Sequence, residues 1–390
     1  MMSIDADYGT GITEDGTLVV GLGSMHLRKA KPIAVKAWTS KRHPELKTQL
    51  RKLVIQEGIE EIGSDAFRDC AELREVQLPS SLRSINWEAF KGCKSLPDIV
   101  IPEGVMSIAD FAFENCTSLK KASIPESARG VSANVFRKCP NLPLICQGKR
   151  LITCGTAMEG RIVIPENVTE ISDHAFYLCE NITGIAVHYH IEKIGWGAFH
   201  GCKCLTSVNI PAGVKEISSG MFCGCSSLTG IDIPDGVESI GGWVFSCCES
   251  LDSIIIPKTV IYIGKQAFEC CRKLTSIILP PGIDEIDEYT FRECGLTHIV
   301  IPQNVTHIHN NAFENCRSLK GVVFSEKLYC IEKSAFNGCT ALTSVTIPAS
   351  VHAIEENAFG GCSNLASALV PCGAILEENV FPSGCKVIKY

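Results

Sequence analysis

The stretch that decides the fold is residues 225–245, CSSLTGIDIPDGVESIGGWVF. Cys225 is followed three residues on by Leu228, then by Ile231 and Ile233, which bracket Asp232. Pro234, Gly236, Val237, Ile240 and Phe245 complete the unit. Alternation around Asp232 is the period of a strand that buries one face and exposes the other. Pro234 cannot donate a ladder hydrogen bond, so it stops that strand and forces a turn. Val237 and Ile240 open a second short extended segment, and a compact turn returns the chain with Phe245 as its large filler.

The same spelling returns along the chain, with Phe at 67, 90, 113, 136, 176, 199, 222, 245, 268, 291, 313, 336, 359 and 381. Successive Phe residues lie 22 or 23 positions apart, except for 40 between Phe136 and Phe176. A period in the 20s with aliphatics at fixed offsets predicts a β-rich solenoid, whose rungs cannot bury their apolar faces alone. Stacking therefore overrides the two or three domains that a length of 390 residues would otherwise suggest. Residues 1–52 read as an N-terminal cap, with a β-hairpin signalled by Glu14-Asp15-Gly16-Thr17 between Ile12 and Leu18. About fourteen rungs follow over 53–390, closed by an irregular capping rung at 372–390. A hairpin is inserted at 144–161. It either projects toward a partner or is merely tolerated at a rung corner, and the second reading is preferred.

The pattern C-x-x-L-x-x-I-x-I-P-x-G-V-x-x-I-x-x-x-A-F resembles the BspA-like leucine-rich repeats, over nearly everything from Leu53 to Tyr390. The resemblance implies a curved, right-handed leucine-rich-repeat solenoid with a parallel sheet on its concave face and short strands and turns on the other wall. It also implies a binding or adhesive protein rather than an enzyme, often exported or surface-displayed. Where the general leucine-rich consensus has Asn or Cys after the strand, this chain has Ser81, Gly104, Gly213, Gly236, Asn304 and Ser350.

A net charge of −7 offers no global cationic field to nucleic acid or anionic lipid. The charge is uneven: Met25 to Leu53 holds Arg28, Lys29, Lys31, Lys36, Lys41, Arg42, Lys47, Arg51 and Lys52 against Glu45 alone. With only Trp38 as an aromatic there, the segment reads as a solvated cap rather than a polyanion site. The opening MMSIDADYGT is polar and acidic, and no apolar run approaches the roughly 20 residues that span a bilayer. The expectation is a cytoplasmic monomer without membrane insertion, with the cell surface as the alternative.

Cysteine is the loudest chemical signal, because Cys70, Cys93, Cys116, Cys139, Cys179, Cys202, Cys225, Cys248, Cys271, Cys294, Cys316, Cys339 and Cys362 all stand three residues after the Phe. Parallel thiols about one rung apart do not meet disulfide geometry, so each is expected to be buried and to bond weakly to turn backbone. Cys204, Cys223, Cys247 and Cys270 leave that column and could crosslink or bind a soft metal. His188 with His190, and Glu285, His307 and Cys330 at one offset on three rungs, could hold a metal on paper, but surface His is commoner. No phosphate-cradling glycine loop, nucleophile elbow or HExxH is present. The reading therefore assigns no catalytic residue, metal or cofactor.

The outward residues of the strands are more informative. Four successive rungs place Ile255, Ile278, Val300 and Val323 between their core aliphatics, beside the small or weakly polar Ser253, Ser276, His298 and Gly321. Asn209 and Asp232 precede them and Thr346 follows. An apolar stripe in a polar surround is expected of a partner-binding patch, although β-propensity alone also favours branched residues there. Asn209, Asp232, Ile255, Ile278, His298, Val300, Val323 and Thr346 are thus the expected contacts of a protein partner. An exported adhesin and a purely structural spacer are the alternatives.

Overall fold

A computed structural model describes residues 2–4, 10–21, 34–35 and 46–390. The described residues make about 15 turns of parallel β-solenoid, and the one α-helix among them is a single turn, Leu46–Gln49. It forms two compact units, residues 1–158 with 174–176, and residues 159–173 with 177–390. In both, three segments of each rung bond to the next rung.

The first segment is the alternating strand. In the first unit Thr17–Val20, Lys52–Ile55 and Glu75–Gln77 pair in parallel, as do Asp98–Val100 and Lys121–Ser123. In the second, Glu159–Val163, Asn181–Ala186 and Ser207–Val208 form one such ladder. His298–Val300 pairs with Gly321–Val323, and Ser344–Thr346 with Ser367–Val370 and Lys386–Lys389. The second segment is a two-residue strand ending in a buried aliphatic, as in Ser84–Ile85 beside Ser107–Ile108 and His307–Ile308 beside Cys330–Ile331. Between these strands the Pro carbonyl closes a turn by accepting the amide three residues on, as Pro234 does from Val237 at 3.3 Å. A hydroxyl two residues after the Pro stitches this turn to the preceding rung. Ser81 accepts from the Gly58 amide at 2.9 Å and donates to the Ile59 carbonyl at 2.8 Å. Ser127 and Thr259 accept in the same way from the amides of Gly104 and Gly236 in the rung before each.

The third segment is the Phe turn, where every second residue changes hand. In most rungs the residues two before and two after the Phe are left-handed, as with Asp65 and Asp69 around Phe67 (φ 57° and 61°) or Trp243 and Cys247 around Phe245 (φ 56° and 59°); Asn134, Gly361 and Ser383 are the exceptions. Alternation of hand splits the amides into two sets. Phe245 donates across to Ala267 of the next rung at 2.8 Å, and Trp243 and Cys247 donate to Lys265 and Glu269. The amides of Ser246 and Cys248 close locally onto the third residue back. Left-handed non-glycine residues cost roughly 1–2 kcal/mol each, but buried peptide groups left without partners would cost more.

Inside, the Phe rings stack at 5.2–5.4 Å from Phe67 to Phe136 in the first unit and at 4.9–5.7 Å from Phe199 to Phe381 in the second. The Cys column lies beside them, fully buried. Cys248 Sγ donates to the Phe222 carbonyl of the rung before at 3.2 Å, and the same bond recurs from Cys93, Cys116 and Cys139 in the first unit and from Cys225, Cys271, Cys294, Cys316, Cys339 and Cys362 in the second. Burial is the first cause that raises the thiols of Cys93, Cys225, Cys271, Cys316 and Cys339 well above their ordinary value and pushes Cys70 up to about 12, so these stay protonated.

Three details go beyond the repeat spelling. The sheet starts before residue 53, because Leu18 and Val20 already point inward and pair in register with Leu53 and Ile55. The hairpin of Ile145–Gln147 with Arg150–Thr153 packs rather than projects: Ile145, Leu151 and Ile152 are buried and only Gly148 and Lys149 at its tip are exposed. The rung after Phe291 is one residue short, with Gly295 in the tightened corner. A Cβ there would stand 2.1 Å from the Arg272 carbonyl oxygen, which only glycine avoids. Most of the basic stretch, with Trp38, lies outside the described residues; of its described cations, Lys47 and Lys52 reach Asp69 and Glu75 at 4.0 and 2.8 Å.

On the second wall, His309 joins three rungs. Its Nδ1 lies 2.8 Å from Glu332 and its Nε2 3.1 Å from Glu285. Burial pulls its pKa down, but the hydrogen bonds and charges of the two carboxylates outweigh that and leave it above its ordinary value. A raised pKa means stability that is complete below about pH 6.5 and lost as pH rises through the folded value. His309→Gln is expected to lower the melting temperature at pH 5.5, by roughly 1 kcal/mol of stability, and to have little effect at pH 8.5; thermal melts at the two values check this. Gly295→Ala is expected to destabilise by about 2 kcal/mol or more, read as a lower denaturant midpoint. A matched Gly373→Ala, where a Cβ meets nothing within 4 Å, serves as the control.

Candidate interaction face

All eight residues expected to contact a partner are exposed on the alternating strands of the second unit. The side chains on either side of each are buried or half-buried, so the strand pleat sets their direction. Ile255 is 80% exposed, Ile278 87%, Val300 63% and Val323 59%. Val300 and Val323 are register partners, as are His298 and Gly321. Gly321 makes room for its neighbour: a Cβ there would come within 3.2 Å of the His298 ring. Thr346 sits opposite Leu369, which extends the apolar surface at 38% exposure.

Asn209 and Asp232 differ from that stripe in what they do. Asn209 imitates a peptide group, its Nδ2 donating to the Val187 carbonyl at 2.5 Å and its Oδ1 accepting from the Val187 amide at 3.2 Å. It is therefore committed to the ladder as well as exposed. Asp232 pairs with Ile255 through one isolated parallel bridge. Around these two residues the face sinks, which the outward apolar residues alone do not reveal. One hollow of about 410 Å³ is lined by Arg161, Thr183, Gly184, Ser207, Asn209 and Asp232. An adjoining one of about 290 Å³ reaches Gly230, Ser253 and Ile255. Gly184 and Gly230 carry the signal for it in the sequence, since neither sends a side chain over the sheet. The face thus joins a polar depression, with Arg161 and Asp232 as its charges, to an apolar ridge.

The other candidates fall apart or reassemble differently. Cys223 and Cys270 are pushed up, by burial first and then by neighbouring groups, to about 11 and about 12; both are neutral thiols near pH 7, poor as nucleophiles. Cys204 and Cys247 are exposed. Glu285, His307 and Cys330 do lie in register on adjacent rungs. However, Glu285 is engaged by His309, and burial with the Glu355 carboxylate pushes Cys330 up to about 11. His188 and His190 stay together and are joined by Glu166 of the preceding rung. No helix among the described residues is long and apolar enough to cross a membrane.

No curated protein sequence matches the chain. Among solved structures, a leucine-rich repeat protein from Eubacterium ventriosum is similar at 20% identity, covering 75% of this chain and 94% of that one with a TM-score of 0.53. One from Bacteroides ovatus is 21% identical over 100% of this chain and 99% of its own, with a TM-score of 0.41. The family described as "BspA type Leucine rich repeat region (6 copies)" is matched over residues 46–158, 154–271 and 244–366. With the Phe turn and Cys column repeated through those spans, the chain belongs to the BspA-type leucine-rich repeat family.

Proposed function

We propose that this chain is a non-enzymatic, monomeric binding protein, and that it recognises a protein partner across the exposed strand face of its second unit. The observation that carries the reading is the run of Ile255, Ile278, Val300 and Val323, each more than half exposed on successive rungs. Exposed branched side chains singly are ordinary; four in a row beside a depression holding Arg161 and Asp232 have the apolar centre and polar margin of an interface. A partner covering the ridge and hollow together would bury on the order of 800 Å² on this side, the size of an ordinary specific contact. Its complementary surface would offer apolar side chains to the ridge and paired charges to Arg161 and Asp232. A partner exposed on another cell's surface and one inside the same compartment would use the same residues.

The test places a photo-crosslinking side chain at Ser276, beside the ridge, and a second at Met106 of the first unit, which is also exposed. Discrete adducts are expected from position 276 and not from position 106. Ile255→Glu combined with Ile278→Glu should remove them, weakening binding about a hundredfold or more by burying charge. Because both side chains face solvent, the double variant should melt within about 2 °C of the parent. Adducts from position 276 that survive the double substitution would reject the face.

A further inference from the structure

We propose that Glu166, His188 and His190 form a binding site for a borderline divalent metal ion, Zn²⁺ above all, at the turn that follows the sheet strands on two adjacent rungs of the second unit. One donor atom from each residue lies within 4.8 Å of the other two. His190 Nδ1 stands 3.8 Å from a Glu166 carboxylate oxygen.

His188 supplies the argument that a chance cluster lacks. Its Nε2 lies 3.0 Å from the Pro165 carbonyl oxygen. A carbonyl can only accept, so Nε2 carries the proton and Nδ1 carries the lone pair. That Nδ1 is buried and has no hydrogen-bond partner among the described residues. A ring with one nitrogen fixed by a backbone carbonyl while the other keeps its lone pair is how metal-ligating histidines are held. Glu166 and His190 are 78% and 46% exposed, so both side chains can swing. Closing from the present spread to bonds of roughly 2.0–2.2 Å about a shared ion calls first on those two side chains.

Donor chemistry selects the ion. Two imidazoles and one carboxylate suit Zn²⁺ and its first-row neighbours, whereas Mg²⁺ and Ca²⁺ call for oxygen alone. Three protein ligands leave a fourth position open to water or to an incoming group. Tyr189 lies against His190, ring centroid to ring centroid at 4.0 Å.

The test titrates the full chain, stripped with a chelator and with its accessible thiols alkylated, with Zn²⁺ at pH 7.5 by calorimetry. One ion per chain is expected. His190→Ala should lower affinity at least a hundredfold, Glu166→Gln about tenfold, and lowering the pH to 5.5 should weaken binding at least tenfold as the imidazoles take up protons. Both substitutions are at exposed side chains, so the metal-free variants should melt like the parent. If His190→Ala does not fold, Glu166→Gln and the pH dependence decide the matter. Binding that is substoichiometric, unchanged by the available substitutions, or matched by Mg²⁺ would overturn the site.

Discussion

A rung that turns back on itself every 23 residues must partner every peptide group it buries, and the Phe turn is where this constraint bites. The chain meets it by alternating right- and left-handed residues, so that one amide closes locally and the next reaches across to the neighbouring rung. The Phe side chain then fills the interior of the turn and stacks on its neighbours. Its carbonyl accepts twice, from the Cys amide three residues on and from the thiol of the following rung, as at Phe222 with Cys225 and Cys248. The Cys column is thus a consequence of a small space and a spare lone pair. It calls for no oxidation chemistry.

Much of this was legible in the sequence, for physical reasons that particular residues make plain. Ile231-Asp232-Ile233 announced a one-faced strand, and the Pro after it announced where the strand stops. The thirteen-membered Cys column, stacked in parallel, announced thiols bonded to backbone. The alternation of hand was not read, although Gly, Asn and Asp recur two places either side of the Phe. Trp243, Leu178 and Tyr289 occupy the same left-handed positions and blur the signal, because inter-rung bonding overrides residue preference. Within the stretch read as a cap, the pairing of Leu18 and Val20 with Leu53 and Ile55 was not legible, since that stretch shares only strand alternation with the repeats.

The candidate face was legible in part. Outward-pointing Ile255, Ile278, Val300 and Val323 follow from alternation alone, but a depression is made by what is absent, and glycines at 184 and 230 register only once neighbouring rungs are laid side by side. The commitment of Asn209 to Val187 was equally hidden, because a side chain that imitates a peptide group cannot be told from a free amide by its letter. In the same way the pairing of His188 and His190 was visible, while Glu166, some twenty residues upstream, became their neighbour only through stacking.

Because each rung meets its neighbours through the same three rows of bonds, a whole copy is the natural unit of gain or loss. An unequal genetic exchange between two copies would add or delete one rung, and with it a single outward residue, while every surviving turn keeps its accustomed contacts. Recognition could then be lengthened, shortened or re-lettered one position at a time without redesign of the interior. The shortened corner at Gly295 shows the contrasting case: losing one residue, instead of one copy, ties that position to glycine.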